Sequence, residues 1–133
     1  MNRSFEISVG KGRTRVHATA LPMNYGVVIC ICGGISHIGA VAIAVPCSSL
    51  DRDKKGTRVT SSVYTLVGHK DDIIARSAAE TVARKLNQVT TVTVGIHVDN
   101  ATREEIRALI SNSDRCVARL LKRLSTSAYG NVS

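Results

Sequence analysis

The sequence predicts an α+β domain built on a single mixed, mainly antiparallel sheet against which two helices pack. Short segments rich in Val, Ile and Thr, bounded by Gly, Pro, Asn or Asp, fill the first half of the chain and are typical of strands. The apolar spacing changes to a helical period in two stretches only, both in the second half. One more strand-like segment separates those helices, so the predicted order is β-β-β-β-β-α-β-α.

Five strands are predicted before the first helix. They cover residues 4–9, 13–21, 26–32, 38–46 and 57–67. The second alternates Val16 and Ala18 with Arg15 and His17, which indicates one solvent-facing side. The third and fourth are apolar at nearly every position, so we expect them to be central and buried on both faces. Residues 47–56 form a predicted polar loop.

The second half alternates between helix and strand. A helix over 71–86 is predicted because Ile74, Ala78, Val82 and Leu86 fall on one stripe. A strand is expected over 89–98. The last helix begins with a capping box from Thr102 to Glu105, and its wide apolar stripe predicts that it packs on the sheet. We expect residues 1–3 and 125–133 to be frayed.

Length and charge limit the possible functions. The 133 residues predict one domain, 1–133, which buries about two-thirds of the surface of its unfolded chain. Eighteen Lys and Arg against ten Asp and Glu give a net charge of +8, which favours an anionic partner. Only four residues are Phe or Tyr and none is Trp, so stacking on nucleic-acid bases is poorly supported and we expect no nucleic-acid partner.

The cysteines and the apolar runs predict a cytoplasmic protein without a membrane partner. The apolar runs are too short to span a bilayer, and the first residues lack an apolar leader. The four cysteines do not form a disulfide framework, which indicates a reducing compartment. Cys30 and Cys32 share one strand face, and we interpret them as a pair of buried apolar thiols in preference to metal ligands.

The loops between these elements predict a binding site. Gly33 and Gly34 follow one apolar strand and precede another, as in a hairpin that approaches a ligand. If the first five strands form a meander and a right-handed crossover lays the sixth parallel to the fifth, four loops meet at one sheet edge. These loops are 10–13, 33–37, 68–72 and 97–100, and they contain His37, His69 and His97.

The chemistry expected at this edge is anion binding. Two of the loops enter helix N-termini, which favour anions, and the amides of Gly33, Gly34 or Gly68 with Lys70 are suited to a phosphate. Three alternatives stay open. The histidines are structural, or His37, His69 and His97 bind zinc, or Ser36 beside His37 is a nucleophile that lacks a recognisable elbow motif.

Four short motifs at these same positions resemble a known family. In order, they are Gly33-Gly34, His37-Ile38-Gly39, His69-Lys70-Asp71 and Gly95-Ile96-His97-Val98. Their order and spacing, over Tyr25 to Ile110, are similar to those of LpdD-type proteins, the small D subunit of bacterial gallate decarboxylase. The resemblance implies a sheet with two helices packed on one face, as in proteasome-assembly chaperones.

The resemblance also implies an accessory role. LpdD-type proteins are regarded as chaperones of prenylated flavin mononucleotide (FMN) for UbiD-type decarboxylases, which act in aromatic acid metabolism. We therefore expect prenylated FMN or FMN as the cofactor, no metal and no catalytic residue. The expected partners are a UbiD-type large subunit and a flavin prenyltransferase, together with further copies of the chain in a dimer or larger assembly. The expected cofactor-binding residues are Gly33, Gly34, Ser36, His37, Gly68, His69, Lys70, His97 and Asn100.

Two other functions remain open at this point. One is a structural subunit that docks on a decarboxylase through its basic residues without contacting the cofactor. The other is a metal-dependent hydrolase that uses His37, His69 and His97.

Overall fold

The computed structural model describes residues 3–47, 58–66 and 71–126, and it confirms the predicted α+β class. One mixed sheet of six strands carries two α-helices. The elements are β1 (Phe5–Val9), β2 (Val16–Met23), β3 (Gly26–Gly34), β4 (Ala40–Pro46), β5 (Val59–Thr65), α1 (Asp71–Leu86), β6 (Thr90–His97) and α2 (Arg103–Thr126).

The strand order is β1-β2-β3-β6-β4-β5, which corrects the predicted meander. β3 and β4 do not form a hairpin, because β6 lies between them, parallel to β3 and antiparallel to β4. β6 is therefore not the neighbour of β5, although the two strands run in the same direction. The prediction failed because a pair of glycines between two strands has the same pattern whether the strands pair directly or flank a third.

The core lies between one face of the sheet and the two helices. α1 packs on β4, β5 and β6, whereas α2 packs on β1 and β2, so both helices cover the same side. Alanines face each other where α1 meets β4, and these small side chains let the helix lie close to the sheet. The largest fully buried side chains include Ile29, Ile31, Leu120 and Leu124.

The start of α2 confirms the predicted capping box. The Thr102 amide donates to Glu105 Oε1 at 3.0 Å, and the Glu105 amide donates to Thr102 Oγ1 at 3.1 Å. Two exposed backbone donors at the helix start are thereby satisfied. The apolar stripe by which α2 packs on the sheet is narrower than predicted, because two of its apolar residues, Ile106 and Ile110, are 48% and 47% exposed.

The side of the sheet away from the helices is exposed, and this corrects the expectation that β3 and β4 are buried on both faces. We call this side the open face. Its outward apolar side chains are Leu21, Met23, Val28, Cys30, Cys32, Val41, Ile43, Val45 and Tyr64. Cys30 and Cys32 were expected to be buried thiols, but Cys30 is exposed and Cys32 is half-buried. The apolar pattern indicates a face that needs covering, and no helix or strand in the described ranges lies over this side of the sheet.

Several boundaries differ from those predicted. β2 begins at Val16 because Gly12–Thr14 form a single 3-10 turn, and β4 begins at Ala40. α2 continues to Thr126, beyond the expected start of the frayed tail. Most of the predicted loop at 47–56 lies outside the described residues. In the described ranges, no helix has the length and apolar character needed to cross a membrane.

Candidate functional site

Four strands of the sheet run in the same direction and end at one edge. β3 and β6 pair in parallel. β1 lies next to β3 across the antiparallel β2, and β5 lies next to β6 across the antiparallel β4, so β1 and β5 run in the same direction as β3 and β6. The carboxyl ends of all four strands therefore lie at this edge. We call this region the loop edge, formed in the described chain by residues 10–14, 33–39 and 97–101 and the start of α1. Three of the four predicted loops, 10–13, 33–37 and 97–100, therefore lie at this edge, although the strand order that led to the prediction is wrong. Residues 68–70 of the fourth loop lie outside the described residues.

Residues 33–39 cross directly over the end of β6. The Ile35 amide donates to the His97 carbonyl at 2.9 Å, and the Gly39 amide donates to the Val94 carbonyl at 2.8 Å. A side chain on Gly95 would overlap the backbone of His37, and Gly34 has a φ of +68° beside the His97 carbonyl. Glycine is required at both positions, because the two backbones touch and one of them is left-handed. The crossing holds His37 and His97 near each other.

His37 is held between its own loop and the first residue of α1. Its Nδ1 lies 2.8 Å from the Ile35 carbonyl oxygen, and its Nε2 lies 3.7 Å from Asp71 Oδ2. A carbonyl oxygen only accepts hydrogen bonds, so Nδ1 carries a proton in this arrangement. The Asp71 side chain is only 7% exposed, and its Oδ2 lies near the ring at a distance longer than a hydrogen bond. The pair fixes the ring against the end of the helix.

His97 is the more accessible of the two rings. Its Nε2 lies 2.9 Å from Asp99 Oδ1, and its side chain is 49% exposed. The His37 and His97 ring centroids are 6.3 Å apart, and the ring planes are nearly perpendicular, at 85°. A carboxylate partner orients an imidazole and fixes which nitrogen is available to a ligand. The loop edge therefore presents two oriented rings, of which one faces solvent.

Arg13 connects the β1–β2 turn to the loop after β6. Its Nε donates to Glu105 Oε2 at 2.8 Å, and a terminal nitrogen donates to the Asp99 carbonyl at 2.6 Å. The hydrogen bond from Arg13 is the main cause that lowers the pKa of Glu105, and the same bond raises the pKa of Arg13. Asn112 of α2 donates to the Thr14 carbonyl at 2.9 Å and holds the turn from below. The loops are thus joined to each other by side chains.

The helix N-termini at this edge carry acidic residues. α1 has Asp71 and Asp72 in its first turn, and α2 has Glu104 and Glu105. These carboxylates lie where the positive end of each helix dipole would otherwise attract an external anion. The predicted phosphate site at a helix N-terminus is therefore opposed by the chain's own charges.

The predicted site residues fall into three groups. Gly33 and Gly34 end β3 and pair with Ile96 and His97, so they belong to the sheet and not to a free turn. Ser36, His37, His97 and Asn100 lie at the loop edge, where Ser36 is exposed and Asn100 has the left-handed φ of 53° that asparagine tolerates in turns. Gly68, His69 and Lys70 lie outside the described residues.

The proposed three-histidine metal site cannot be assembled from the described residues alone. In the ranges 3–47, 58–66 and 71–126, no three His, Cys, Asp or Glu side chains are placed to hold a metal ion. His37 and His97 are the two members of the predicted set that the structure describes.

Three residues of this edge were not among the predicted site residues. Two of them, Asp71 and Asp99, each contact a histidine. The third, Arg13, is bonded to Glu105, and this link spans most of the chain. A His-x-Asp spacing at 97–99 was the available local signal, whereas the other two contacts depend on tertiary structure.

The fold places the chain in a structural class already seen in chaperones. A chain from a crystal structure of a chaperone complex for yeast 20S proteasome assembly superimposes with a TM-score of 0.64 at 14% identity. The match covers 96% of this chain and 98% of that one. At this identity the similarity establishes the fold alone.

The family is identified by sequence comparison. A family model described as a prenylated flavin chaperone LpdD-like domain matches residues 10–125, and the chain belongs to this family. The resemblance noted from the glycine and histidine motifs is thereby confirmed. No curated protein matches the sequence significantly.

Proposed function

We propose that the chain is a non-catalytic chaperone that binds prenylated FMN, or FMN, at the loop edge and serves a UbiD-type decarboxylase. Membership of the prenylated flavin chaperone family supports an accessory role. The proposed position of the cofactor rests on the pair of oriented imidazoles, His37 and His97, whose ring centroids are 6.3 Å apart.

The two rings suit the polar rim of a flavin. An isoalloxazine presents carbonyl oxygens and ring nitrogens, which imidazole nitrogens recognise as donors or acceptors. His97 is half-exposed and braced by Asp99, so it is the ring that a ligand reaches first. His37 is braced by Ile35 and Asp71 and lies behind it.

The phosphate of the cofactor requires positive charge or hydrogen-bond donors close by. Ser36 is exposed at the crossing segment, and Lys70 directly precedes α1 in the sequence. We propose that the phosphate lies toward Ser36 and Lys70, with Gly33, Gly34 and Gly68 shaping the backbone nearby. His69 and Asn100 complete the proposed set as residues that flank the cofactor.

A chaperone function requires affinity for the cofactor and no stabilised transition state. The partners of the two histidines are a backbone carbonyl and two carboxylates, which are groups that orient an imidazole. The loop edge is therefore suited to hold a finished cofactor. In this proposal a flavin prenyltransferase supplies the prenylated flavin, and the large subunit of a UbiD-type enzyme receives it in the cytoplasm.

Anaerobic titration tests the binding site. The purified chain is mixed with FMN or prenylated FMN, each oxidised and reduced, and binding is followed by absorbance and by calorimetry. We expect His97→Ala to weaken binding about tenfold, the effect of one lost hydrogen bond. His17→Ala is the matched control, because His17 is exposed on β2 and bonded to Ser8. Equal binding by both variants, or no binding by the unchanged chain, contradicts the proposal.

A second pair of variants tests the phosphate position. Lys70→Ala is expected to weaken binding of FMN more than binding of riboflavin, which lacks the phosphate. Lys85→Ala is the matched control, because Lys85 lies in the last turn of α1, at the opposite end of the helix. The same loss for riboflavin and FMN would place the phosphate elsewhere.

The two other functions make different predictions. A docking subunit without cofactor contact loses its complex with a decarboxylase on charge reversal at Arg52, Lys54, Lys55 or Arg58 and is indifferent to changes at the histidines. A metal-dependent hydrolase retains stoichiometric zinc after purification and loses it when His37, His69 or His97 is replaced. Elemental analysis and co-purification separate both from the proposed chaperone.

A further inference from the structure

The segment that crosses β6 carries two large apolar side chains that are mostly in water. Ile35 is 59% exposed and Ile38 is 57% exposed, so neither adds much to the core. Both lie between the end of β3 at Gly34 and the start of β4 at Ala40, off the sheet and therefore outside the open face. Their apolar character thus has no explanation in the packing of the sheet.

These two isoleucines flank His37, which the proposed function assigns to the cofactor. The Ile35 carbonyl oxygen lies 2.8 Å from His37 Nδ1, and the Ile35 amide donates to the His97 carbonyl at 2.9 Å. Ile38 follows His37 directly in the chain. Cofactor sites combine apolar walls with a few polar groups that fix the orientation of the ligand. Residues 35–38 supply both kinds of group on one anchored segment.

A third exposed apolar side chain adjoins this segment from the end of β5. The Leu66 amide donates to the Gly39 carbonyl at 2.8 Å, and Leu66 is 39% exposed. This hydrogen bond places Leu66 beside the residue that follows Ile38. We call Ile35, Ile38 and Leu66 the apolar wall of the loop edge.

The proposed function leaves two forms of the cofactor, and they differ by one apolar group. Prenylated FMN carries an additional hydrocarbon ring fused across N5 and C6 of the flavin, next to the C4 carbonyl, whereas FMN has no group there. A flavin whose C4 carbonyl meets an imidazole of the loop edge therefore presents this ring to the apolar neighbours of that imidazole.

We propose that the apolar wall covers the hydrocarbon ring and makes the chain selective for prenylated FMN over FMN. This selectivity rests on the proposed function, because it requires a flavin at the loop edge. Hydrogen bonds to His37 and His97 are common to both forms and cancel in the ratio of their affinities. Each isoleucine that covers the ring is expected to favour prenylated FMN about tenfold, so the two together predict a preference of roughly tenfold to a hundredfold.

Titration of matched threonine variants tests the selectivity. Threonine keeps the β-branched shape of isoleucine and removes part of its apolar surface. The dissociation constants of reduced prenylated FMN and reduced FMN are measured anaerobically by calorimetry. Ile35→Thr and Ile38→Thr should each weaken binding of prenylated FMN about tenfold and change binding of FMN less than about twofold. Ile110→Thr is the control, because Ile110 is 47% exposed and lies further along α2.

A conservative variant separates apolar contact from a change in the shape of the segment. Ile35→Val retains an apolar, β-branched side chain and should keep most of the preference for prenylated FMN. If Ile35→Val loses the preference as fully as Ile35→Thr, the contact with the hydrocarbon ring is not its source and the selectivity proposal is overturned.

The other outcomes distinguish the selectivity from the proposed function. An unchanged chain that binds neither flavin contradicts the proposed function and the selectivity with it. An unchanged chain that binds both forms equally overturns the selectivity alone, as do threonine variants that lose both forms by the same factor. Threonine variants that keep their preference but no longer associate with a decarboxylase also overturn it, and they would assign Ile35 and Ile38 to a protein contact.

Discussion

The imidazole of His37 and the carboxylate of Asp71 lie 3.7 Å apart, and they join the segment that crosses β6 to the first residue of α1. Both side chains are largely shielded from water, with exposed fractions of 23% and 7%. A shielded carboxylate is stabilised by a neighbouring polar group and is destabilised when that group is removed. This contact therefore contributes to the shape of the loop edge as well as to its chemistry.

Replacement of His37 should destabilise the fold. We expect His37→Ala to lower the free energy of unfolding by about 1 to 3 kcal/mol, because it removes both the hydrogen bond to the Ile35 carbonyl and the polar ring beside a buried carboxylate. His97→Ala, at a half-exposed ring, should cost no more than about 0.5 kcal/mol. Urea denaturation measures both, and a cycle with Asp71→Ala isolates the coupling. Equal losses for the two histidine variants would show that the Asp71 contact contributes little.

Addition of one methyl group at Gly95 should disturb the crossing. Gly95→Ala forces a Cβ into the backbone of His37, and we expect a loss of at least about 2 kcal/mol with displacement of the 33–39 segment. Gly33→Ala is the control, since its Cβ would lie 3.4 Å from the nearest atoms, an ordinary contact. Thermal denaturation and the nuclear magnetic resonance shifts of His37 report the two effects. A Gly95→Ala variant as stable as Gly33→Ala would contradict the described crossing.

The link between Arg13 and Glu105 should depend on pH. The pKa of Glu105 is lowered in the folded chain, chiefly by Arg13, from an ordinary value of 4.5. Its contribution to stability is therefore present above pH 4.5 and is lost as the pH falls through the lower, folded-state pKa. The stability difference between the unchanged chain and Glu105→Gln should shrink on acidification over this window. Glu104→Gln, in the same helical turn, is the control, and a difference that persists in acid would exclude the ion pair as its source.

Cys30 should react slowly with alkylating reagents at neutral pH despite its exposure. Partial burial of the sulfur, and then the hydrogen bond with Cys32 at 3.7 Å, raise the pKa of Cys30 to about 11. Since the thiolate is the reactive form, the rate with iodoacetamide should rise with pH until about 11. Cys32→Ala should lower the pH at which Cys30 reacts. Peptide mapping follows each thiol, with the buried Cys116 as the unreactive reference.

Local sequence patterns predicted the parts of the fold that are determined locally. The capping box at Thr102 and Glu105 depends on a spacing of three residues and is present as predicted. The alternation in β2 correctly predicted Val16 and Ala18 as buried and His17 as exposed. Such features require no knowledge of distant partners.

The errors arose where distant segments determine the structure. Gly33 and Gly34 were interpreted as a hairpin, but β6, which begins at residue 90, separates the two flanking strands. The loop edge was nevertheless anticipated, because β5 and β6 run in the same direction whether or not they are neighbours. The contact between His37 and Asp71 joins two elements across this inserted strand, so residue spacing alone gave no indication of it.

The insertion of β6 has a consequence for how the protein is assembled. In chain order, β6 follows all the other strands, and in the finished sheet it is the strand that joins β1-β2-β3 to β4-β5. The crossing segment obtains its anchoring carbonyls, Val94 and His97, from that last strand. The crossing segment can therefore reach its described position only once β6 is in the sheet, and a ligand held at the loop edge would stabilise the completed sheet.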